Sequence, residues 1–176
     1  MPAFRTRVFY VPQRPALLTG TPRDFLATIA SFGSRSKFKA DDHTYAVEVA
    51  RAWGIDDELW DRNWSNLSGG ESQRIALATA MGLNTAEVLL LDGKNHCFIR
   101  YHSALITFTP EPTSALDHLS TKLVEEFILH ELESSESALK AIVWITHSEE
   151  QARRVGTRFI RVSASGCEEE PRMPEP

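Results

Sequence analysis

Two continuous apolar runs constrain the fold of this chain more than any other feature of its sequence. One spans Val88–Leu91 and is followed by Asp92. The other spans residues 141–145 and is followed by Thr146 and His147. Runs of this length and composition are typical of strands that are buried on both faces of a parallel sheet. An amphipathic helical pattern over residues 119–132 separates the two runs. Strand–helix alternation of this kind indicates an α/β fold with a parallel sheet.

The first half of the chain differs, because a single short strand, predicted at residues 8–11, is followed by helical patterns. Thr21 can cap a helix and Pro22 suits a first helical turn, so a helix is predicted to begin there. We therefore expect a helical subdomain over about residues 21–82 and the second half of an α/β core over residues 83–163.

Composition excludes several classes of protein. The chain has 176 residues, of which 42% are hydrophobic and 24% are charged, and this suits one packed domain. The net charge of -5 argues against a general nucleic-acid binder. No apolar stretch approaches the ~18 residues of a membrane span. Cys97 and Cys167 are too few for a disulfide scaffold, and the acidic, proline-rich residues 164–176 are predicted to be a disordered tail.

The segment LSGGE at residues 67–71 carries the most information about function. Ser68 precedes two glycines, and Glu71 follows it at the spacing of a helix capping box. The start of such a helix leaves backbone N–H groups exposed, and they can bind an anion such as a terminal phosphate. An ordinary capped helix explains the same segment equally well, so alone it leaves both interpretations open.

Four further motifs stand in order around this one. They are YVPQ at residues 10–13, LLLD at 89–92, EPTSALD at 111–117 and WITH at 144–147. The ordered set resembles the ATP-binding-cassette (ABC) ATPase family: LSGGE resembles its signature motif, LLLD its Walker B strand, EPTSALD its catalytic glutamate and D-loop, and WITH its switch-histidine loop. The resemblance implies an α/β fold with a partial, P-loop NTPase-like parallel sheet core and an α-helical ABC subdomain.

The resemblance also implies roles for individual residues. Asp92 would hold Mg²⁺, Glu111 would be the general base that polarises the attacking water, and His147 would contact the γ-phosphate. Gln13, which resembles the glutamine of the Q-loop, would sense both Mg²⁺ and the γ-phosphate. The implied cofactors are therefore ATP and Mg²⁺.

The signature residues would act across a dimer interface. Ser68, Gly69 and Gly70 would bind the γ-phosphate of ATP held by the opposite subunit of a head-to-tail dimer. Glu71 would belong to the same cofactor-binding segment, and Asp117, also counted among the cofactor-binding residues, would lie at that interface. The implied partners are a second ABC ATPase domain and a membrane-spanning transporter subunit, with no nucleic acid. The implied location is the cytoplasmic side of a membrane.

The first of two departures from the family pattern is an absent motif. The phosphate-binding loop G-x-x-x-x-G-K-[ST] does not occur in the sequence, whose single Gly-Lys pair, Gly93-Lys94, is followed by Asn95. We therefore expect the chain to begin inside the domain, to bind ATP poorly by itself and to have an open sheet edge.

The second departure is an interruption between Asp92 and Glu111, which are adjacent in the family. Removing residues 93–110 joins LLLD to EPTSALD as one uninterrupted motif. The removed segment is a whole number of codons whose ends can be encoded as intron borders, so we hypothesise a retained short intron and a eukaryotic source. The alternative is a genuine inserted loop, although the segment is too apolar for a free surface loop.

The sequence thus predicts an ABC-type ATPase subunit that binds and hydrolyses ATP and is coupled to transport through a membrane partner, with little activity from this chain alone. One alternative is a non-catalytic ABC-like fragment that acts only through an intact partner. A DNA-repair or chromosome-type ABC ATPase is a second, although sustained coiled-coil heptads are lacking. A third alternative is an ABC protein of translation, which would have two cassettes. A fourth is a chain that does not fold stably.

Overall fold

Secondary structure in the computed structural model alternates through the second half of the chain. The structure describes residues 7–12, 18–31, 41–83, 85–91, 96–101, 105–109, 118–145, 148–163 and 166–170. The strands are β1 (Val8–Val11), β2 (Val88–Leu91), β3 (His96–Tyr101), β4 (Leu105–Thr109), β5 (Ala141–Trp144), β6 (Phe159–Ser163) and β7 (Gly166–Glu170). The helices are α1 (Pro22–Ala30), α2 (Asp41–Ala52), α3 (Gly69–Gly82), α4 (His118–Glu133) and α5 (Glu149–Val155), with short 3-10 turns at Asp57–Asp61 and Trp64–Asn66.

Strands β1, β2 and β5 form the parallel part of the sheet, with β2 in the middle. Their carboxyl ends are level, because Val11 pairs with Leu91 and Leu91 pairs with Trp144. Leu89 and Leu91 have no exposed surface. Apolar strands therefore form the centre of the core, and the parallel sheet of the predicted fold class is confirmed.

Strands β3 and β4 form an antiparallel hairpin inside the segment that interrupts the family pattern. Strand β3 also pairs with β5, where Ile99 is in register with Val143, and with β6, where Phe98 is in register with Phe159. Both pairings are antiparallel, so β5 and β6 run parallel to each other with the hairpin between them. The edge of β5 that faces away from β2 is therefore covered rather than open. In the described part of residues 93–110, the chain is sheet and not a free loop.

The predicted disordered tail is wrong for residues 166–170. These residues form β7, which pairs antiparallel with β6, and Ile160 faces Glu169 in this ladder. The Glu169 carboxylate also accepts a hydrogen bond from Arg158 Nε at 2.7 Å. An acidic run is compatible with an edge strand because the exposed Glu168 and Glu169 side chains remain in solvent while the backbone pairs. Residues 171–176 lie outside the described part of the chain.

Helix α1 begins where the sequence predicts. The amide of Asp24 donates to Thr21 Oγ1 at 3.1 Å, and the amide of Thr21 donates to Asp24 Oδ2 at 3.0 Å, which forms a capping box at the start of α1. Farther along the chain, Trp60 and Trp64 are buried in the hydrophobic core that also contains Leu89 and Leu91. None of the described helices is long and apolar enough to cross a membrane.

Candidate functional site

The signature segment forms the start of α3. The amide of Glu71 donates to Ser68 Oγ at 3.2 Å, and the amide of Ser68 donates to Glu71 Oε2 at 2.7 Å. Ser68 has an extended backbone, with φ -65° and ψ 162°, and the helix begins at Gly69. The capping box and the helix start that the sequence predicts are therefore both present.

The capping box leaves the next two amides for another acceptor. The amides of Gly69 and Gly70 belong to the first helical turn, where no intrahelical carbonyl can accept from them. Ser68 and Gly69 are exposed to solvent, and Gly70 is half-buried. Because the helix dipole adds positive potential at this end, the arrangement suits a phosphate group presented from outside.

Glu71 adds a negative charge to the same helix end. Its pKa lies below the usual range, chiefly because its carboxylate accepts the backbone hydrogen bond from Ser68. The side chain is therefore ionised at neutral pH. It stabilises the helix and at the same time weakens the attraction of this end for a second anion.

The body of α3 is held rigidly behind this end. Ile75, Leu77 and Ala78 have no exposed surface. At the far end of the helix, Gly82 lies directly against Ala46 of α2. A buried helix with a close backbone contact at one end and an exposed cap at the other presents its first turn in a fixed direction.

The remaining site residues of the sequence analysis lie outside the described part of the chain. They are Gln13, Asp92, Glu111, Asp117 and His147. Among the residues that the structure does describe, no group of three His, Cys, Asp or Glu side chains could hold a metal ion.

Three of these residues follow described parallel strands closely in the sequence. Gln13 follows β1 by two residues, Asp92 follows β2 directly, and His147 follows β5 by three residues. The three strands are parallel and their ends are in register, and the amide of Ile145 extends the ladder by donating to the Leu91 carbonyl at 3.0 Å. Ligand sites of parallel α/β sheets lie outside the carboxyl ends of the strands.

A buried cluster that the sequence did not reveal joins α4 to α5. Glu125 Oε1 accepts from Gln151 Nε2 at 2.6 Å, and Glu125 Oε2 accepts from Arg154 Nε at 3.0 Å. Glu125 is only 3% exposed and Gln151 only 2% exposed. A signal existed, since Glu125 is a carboxylate three residues before Ile128 on the apolar face of the predicted helix.

A second contact that the sequence did not reveal joins α2 to α4. Tyr45 of α2 donates its hydroxyl to Glu131 Oε1 at 3.1 Å. Burial, followed by the negative charge of Glu131, raises the pKa of Tyr45 to about 12. Trp53 packs edge-to-face on Phe127, with ring centroids 5.4 Å apart. Helix α2 is therefore attached to α4 as well as to α3.

Comparison with known proteins decides the family. The family model described as ABC transporter matches residues 1–94, which is more than half of the 176 residues. The chain belongs to the ABC transporter family. The matched range includes the signature segment LSGGE and strand β2 with the Asp92 that follows it, whereas EPTSALD and WITH lie beyond this range.

Relatives of this ABC chain include ATP-binding proteins of importers. The phosphate import ATP-binding protein PstB of Mycoplasmoides gallisepticum is 33% identical over 158 residues, which are 89% of this chain and 41% of that protein. PstB 1 of Vibrio cholerae is 32% identical over 170 residues, which are 92% of this chain and 52% of that protein. The chain spans about half the length of the curated relatives it matches.

Solved structures agree on the fold. A dimeric ATP-binding cassette in a post-hydrolysis state, bound to ADP and Pi, matches with a TM-score of 0.72 and 21% identity, over 99% of this chain and 66% of that one. A putative metal-chelate type ABC transporter in an inward-facing conformation matches with a TM-score of 0.62 and 22% identity, over 93% of this chain and 58% of that one. The ABC chain therefore has part of the P-loop NTPase α/β fold.

Proposed function

We propose that this chain is part of an ABC ATP-binding subunit and that its α3 helix binds the γ-phosphate of ATP held by a partner subunit. The observation that carries the proposal is the exposed, capped start of α3, where the amides of Gly69 and Gly70 face outward from a rigid helix. In the complete subunit the reaction would be hydrolysis of ATP to ADP and phosphate, coupled to transport. Relatives named for phosphate import support this class of function.

The remaining roles in this proposal rest on position in the sheet. Asp92, with Gln13, would hold Mg²⁺, because both follow in-register parallel strands and carry oxygen ligands. Magnesium would neutralise charge on the phosphates when it is bound. Glu111 would orient the attacking water, and His147 would contact the γ-phosphate. Asp117 would lie at the interface with the second ATPase domain.

The proposed setting is the cytoplasmic side of a membrane. The ATPase domains would form a head-to-tail dimer there, attached to a membrane-spanning transporter subunit. The absence of a membrane-crossing helix among those described and the similarity to importer ATP-binding proteins are compatible with this arrangement. The substrate of the transporter would be selected by the membrane partner.

A non-catalytic role is the second candidate, and the β3–β4 hairpin favours it. The hairpin lies in the chain between Asp92 and Glu111 and is paired into the sheet beside β5. With the hairpin in place, the proposed general base Glu111 and the proposed metal ligand Asp92 are not neighbours in the sequence. Such a chain could still present α3 to an intact partner without hydrolysing ATP on its own.

We extend the proposal to the origin of residues 93–110, which we propose to be a retained short intron in a eukaryotic gene. Its support is the uninterrupted LLLDEPTSALD motif that deletion restores. Sequencing of the full-length transcript tests it. A dominant transcript without these codons is expected, and a dominant transcript that retains them would contradict it.

The binding proposal is tested by nuclear magnetic resonance on the ¹⁵N-labelled chain mixed with an unlabelled intact ABC ATP-binding subunit, with Mg-ATP as the probe. Saturable shifts of the Gly69 and Gly70 amide signals are expected. Gly69→Asp should abolish them, because it places a carboxylate where the phosphate would bind but is itself favourable in a first helical turn. Ser65→Asp, at an exposed site four residues earlier, is the matched control and should retain the response. No response of either glycine in the parent chain at millimolar Mg-ATP would refute the proposed site.

Hydrolysis is tested separately on a variant that lacks residues 93–110. Phosphate release in the presence of an intact ABC ATP-binding subunit should exceed the sum of the two proteins measured alone. The parent chain, tested in the same way, distinguishes the two candidates: stimulation only after deletion supports an interrupted ATPase, whereas equal behaviour of both chains supports the non-catalytic role.

A further inference from the structure

The buried cluster of Glu125, Gln151 and Arg154 is more elaborate than helix packing requires. The Glu125 carboxylate accepts from Gln151 Nε2, from Arg154 Nε and, at 3.2 Å, from Arg154 Nη2. A buried carboxylate is unfavourable unless such donors satisfy it, and replacing it by an apolar side chain would be simpler for packing alone. The arrangement therefore suggests a requirement for a defined geometry.

The cluster connects the two helices that follow the proposed catalytic segments. Helix α4 begins at His118, directly after the EPTSALD segment at residues 111–117. Helix α5 begins at Glu149, and its cap is Ser148, the residue immediately after His147. A link between α4 and α5 is thus a link between the helices that directly follow the segments of the proposed general base, Glu111, and the proposed switch histidine, His147.

Gln151 holds Ser148 and Glu125 at the same time. Its backbone amide donates to Ser148 Oγ at 3.1 Å, while its side-chain Nε2 donates to Glu125 Oε1 at 2.6 Å. The amide of Ala152 adds a further bond to the Ser148 carbonyl at 2.8 Å. Two consecutive hydrogen-bonded steps therefore lead from the carboxylate on α4 to the residue next to His147.

Helix α5 depends on this link because it is short. It has seven residues, whereas isolated helices below about 12 residues are marginal in water. Apolar burial of Ala152 and Val155 holds the helix against the core. Apolar contacts are non-directional, so the hydrogen bonds to Glu125 are what fix its rotation and its register along α4.

We propose that Glu125 and Gln151 are positioning residues for His147, which they act on through Ser148 by fixing α5 to α4. The inference rests on the proposed function, in which His147 contacts the γ-phosphate. Arg154 supplies the compensating charge: it is paired with Glu125, and it donates from Nη1 to Glu150 at 2.7 Å.

The test measures the imidazole signal of His147 in the ¹H–¹³C spectrum of the full chain, assigned by its loss in His147→Gln. Gln151→Ala should move this signal and should make the amides of residues 148–152 exchange with solvent roughly tenfold faster, since a hydrogen bond to a charged group is lost. The signal of His130, on α4 but exposed, should not move. Glu126→Gln, at the exposed neighbour of Glu125, is the matched control and should leave His147 unchanged.

A charge swap separates positioning from simple stabilisation. Gln151→Glu alone brings two carboxylates together and should move the His147 signal. Adding Glu125→Gln re-forms an amide–carboxylate pair of reversed polarity beside Arg154, and the signal should return toward that of the parent chain. Should either single variant fail to fold, the doubly substituted chain and Gln151→Ala still decide the matter.

Two results would overturn the inference. One is an unchanged His147 signal in folded Gln151→Ala. The other is a pattern in which the single variants lose thermal stability and the double variant regains it, while the His147 signal stays constant in all of them. The cluster would then be purely structural. The test requires no nucleotide, so failure of the proposed function appears independently, as absence of a Gly69 and Gly70 response to Mg-ATP.

Discussion

A Cβ atom placed on Gly82 would lie 2.4 Å from the Cβ of Ala46 and 2.5 Å from its Cα. Gly82 is the last residue of α3, and Ala46, which has no exposed surface, lies in α2. The two helices therefore touch at backbone distance behind the exposed signature turn. Glycine is required here by the approach of another helix and not by an unusual backbone angle.

Gly82→Ala should destabilise the chain, because the obstructing atoms include backbone and cannot rotate away. Overpacking of this kind lowers the free energy of unfolding by about 1–3 kcal/mol. Urea unfolding of the parent chain and the variant measures this difference. Ala46→Gly in addition should not restore stability, since the Cα and N of residue 46 lie within 2.7 Å of the added atom. Full rescue by that second substitution would show that the helices do not approach as closely as described.

Glu87 should make the stability of the chain depend on acid pH. Its carboxylate pairs with Arg7 Nε at 2.6 Å and with Lys140 Nζ at 3.1 Å, at the start of the three parallel strands. These hydrogen bonds, led by the one from Arg7, lower the pKa of Glu87 to about 2. Because the folded state holds the ionised form, the contribution is present above the ordinary pKa near 4.5 and is lost as the pH falls toward 2.

The measurement for Glu87 is the free energy of unfolding of the parent chain and of Glu87→Gln between pH 7 and pH 3. The difference should be constant near neutrality, should shrink below about pH 5 and should decrease with added salt, because Arg7 and Lys140 are exposed. Glu58→Gln, at an exposed glutamate, serves as the control. A difference that grows on acidification would have the wrong sign and would refute the pairing.

Tyr45 should make stability depend on pH at the alkaline end. Its folded pKa of about 12 exceeds the ordinary value of 10.0, so the folded state favours the neutral phenol. Its contribution is therefore complete below pH 10 and is lost as the pH rises toward 12. Tyr45→Phe should lower stability by about 1 kcal/mol at neutral pH and should reduce the alkaline loss, as followed by unfolding titrations. An unchanged alkaline profile would show that burial and Glu131 do not raise the pKa of Tyr45 in the folded chain.

Glu71→Gln should strengthen phosphate binding at the start of α3. An amide oxygen can keep the hydrogen bond to the Ser68 amide, so the cap is retained, while the negative charge is removed. One unit charge a few ångströms away in water corresponds to about 1 kcal/mol, or up to about fivefold in affinity. Titration of the Gly69 amide with Mg-ATP measures it, and Glu58→Gln is again the control. Weaker binding by Glu71→Gln would mean that the carboxylate itself participates in recognition.

Local patterns in the sequence were sufficient for much of the fold. Thr21 and Ser68 begin helices as predicted, because a cap is decided by residues three positions apart. Val88–Leu91 and the run that begins at Ala141 are the buried parallel strands, since a continuous apolar run is recognisable without knowledge of its neighbours. The family resemblance was likewise visible in short motifs and was confirmed by the family model.

The sequence prediction fails at residues 166–170, although the partner strand of this segment is only a few residues away in the chain. The acidic run at residues 166–170 was expected to be disordered, but the neighbouring strand β6 and Arg158 order it. The site residues Gln13, Asp92, Glu111, Asp117 and His147 lie outside the described part of the chain, so their roles remain predictions. Only the signature turn could be compared with its expected geometry.

The sequence by itself therefore determined the fold class, the starts of α1 and α3 and the family, because each depends on residues that are close along the chain. Tertiary structure alone decided the close contact of Gly82 with Ala46, the placement of the β3–β4 hairpin beside β5 and the pairing of Glu125 with Gln151. Each of these contacts joins residues more than twenty-five positions apart. Their formation depends on how complete elements pack, and no local pattern of charge or hydropathy encodes that.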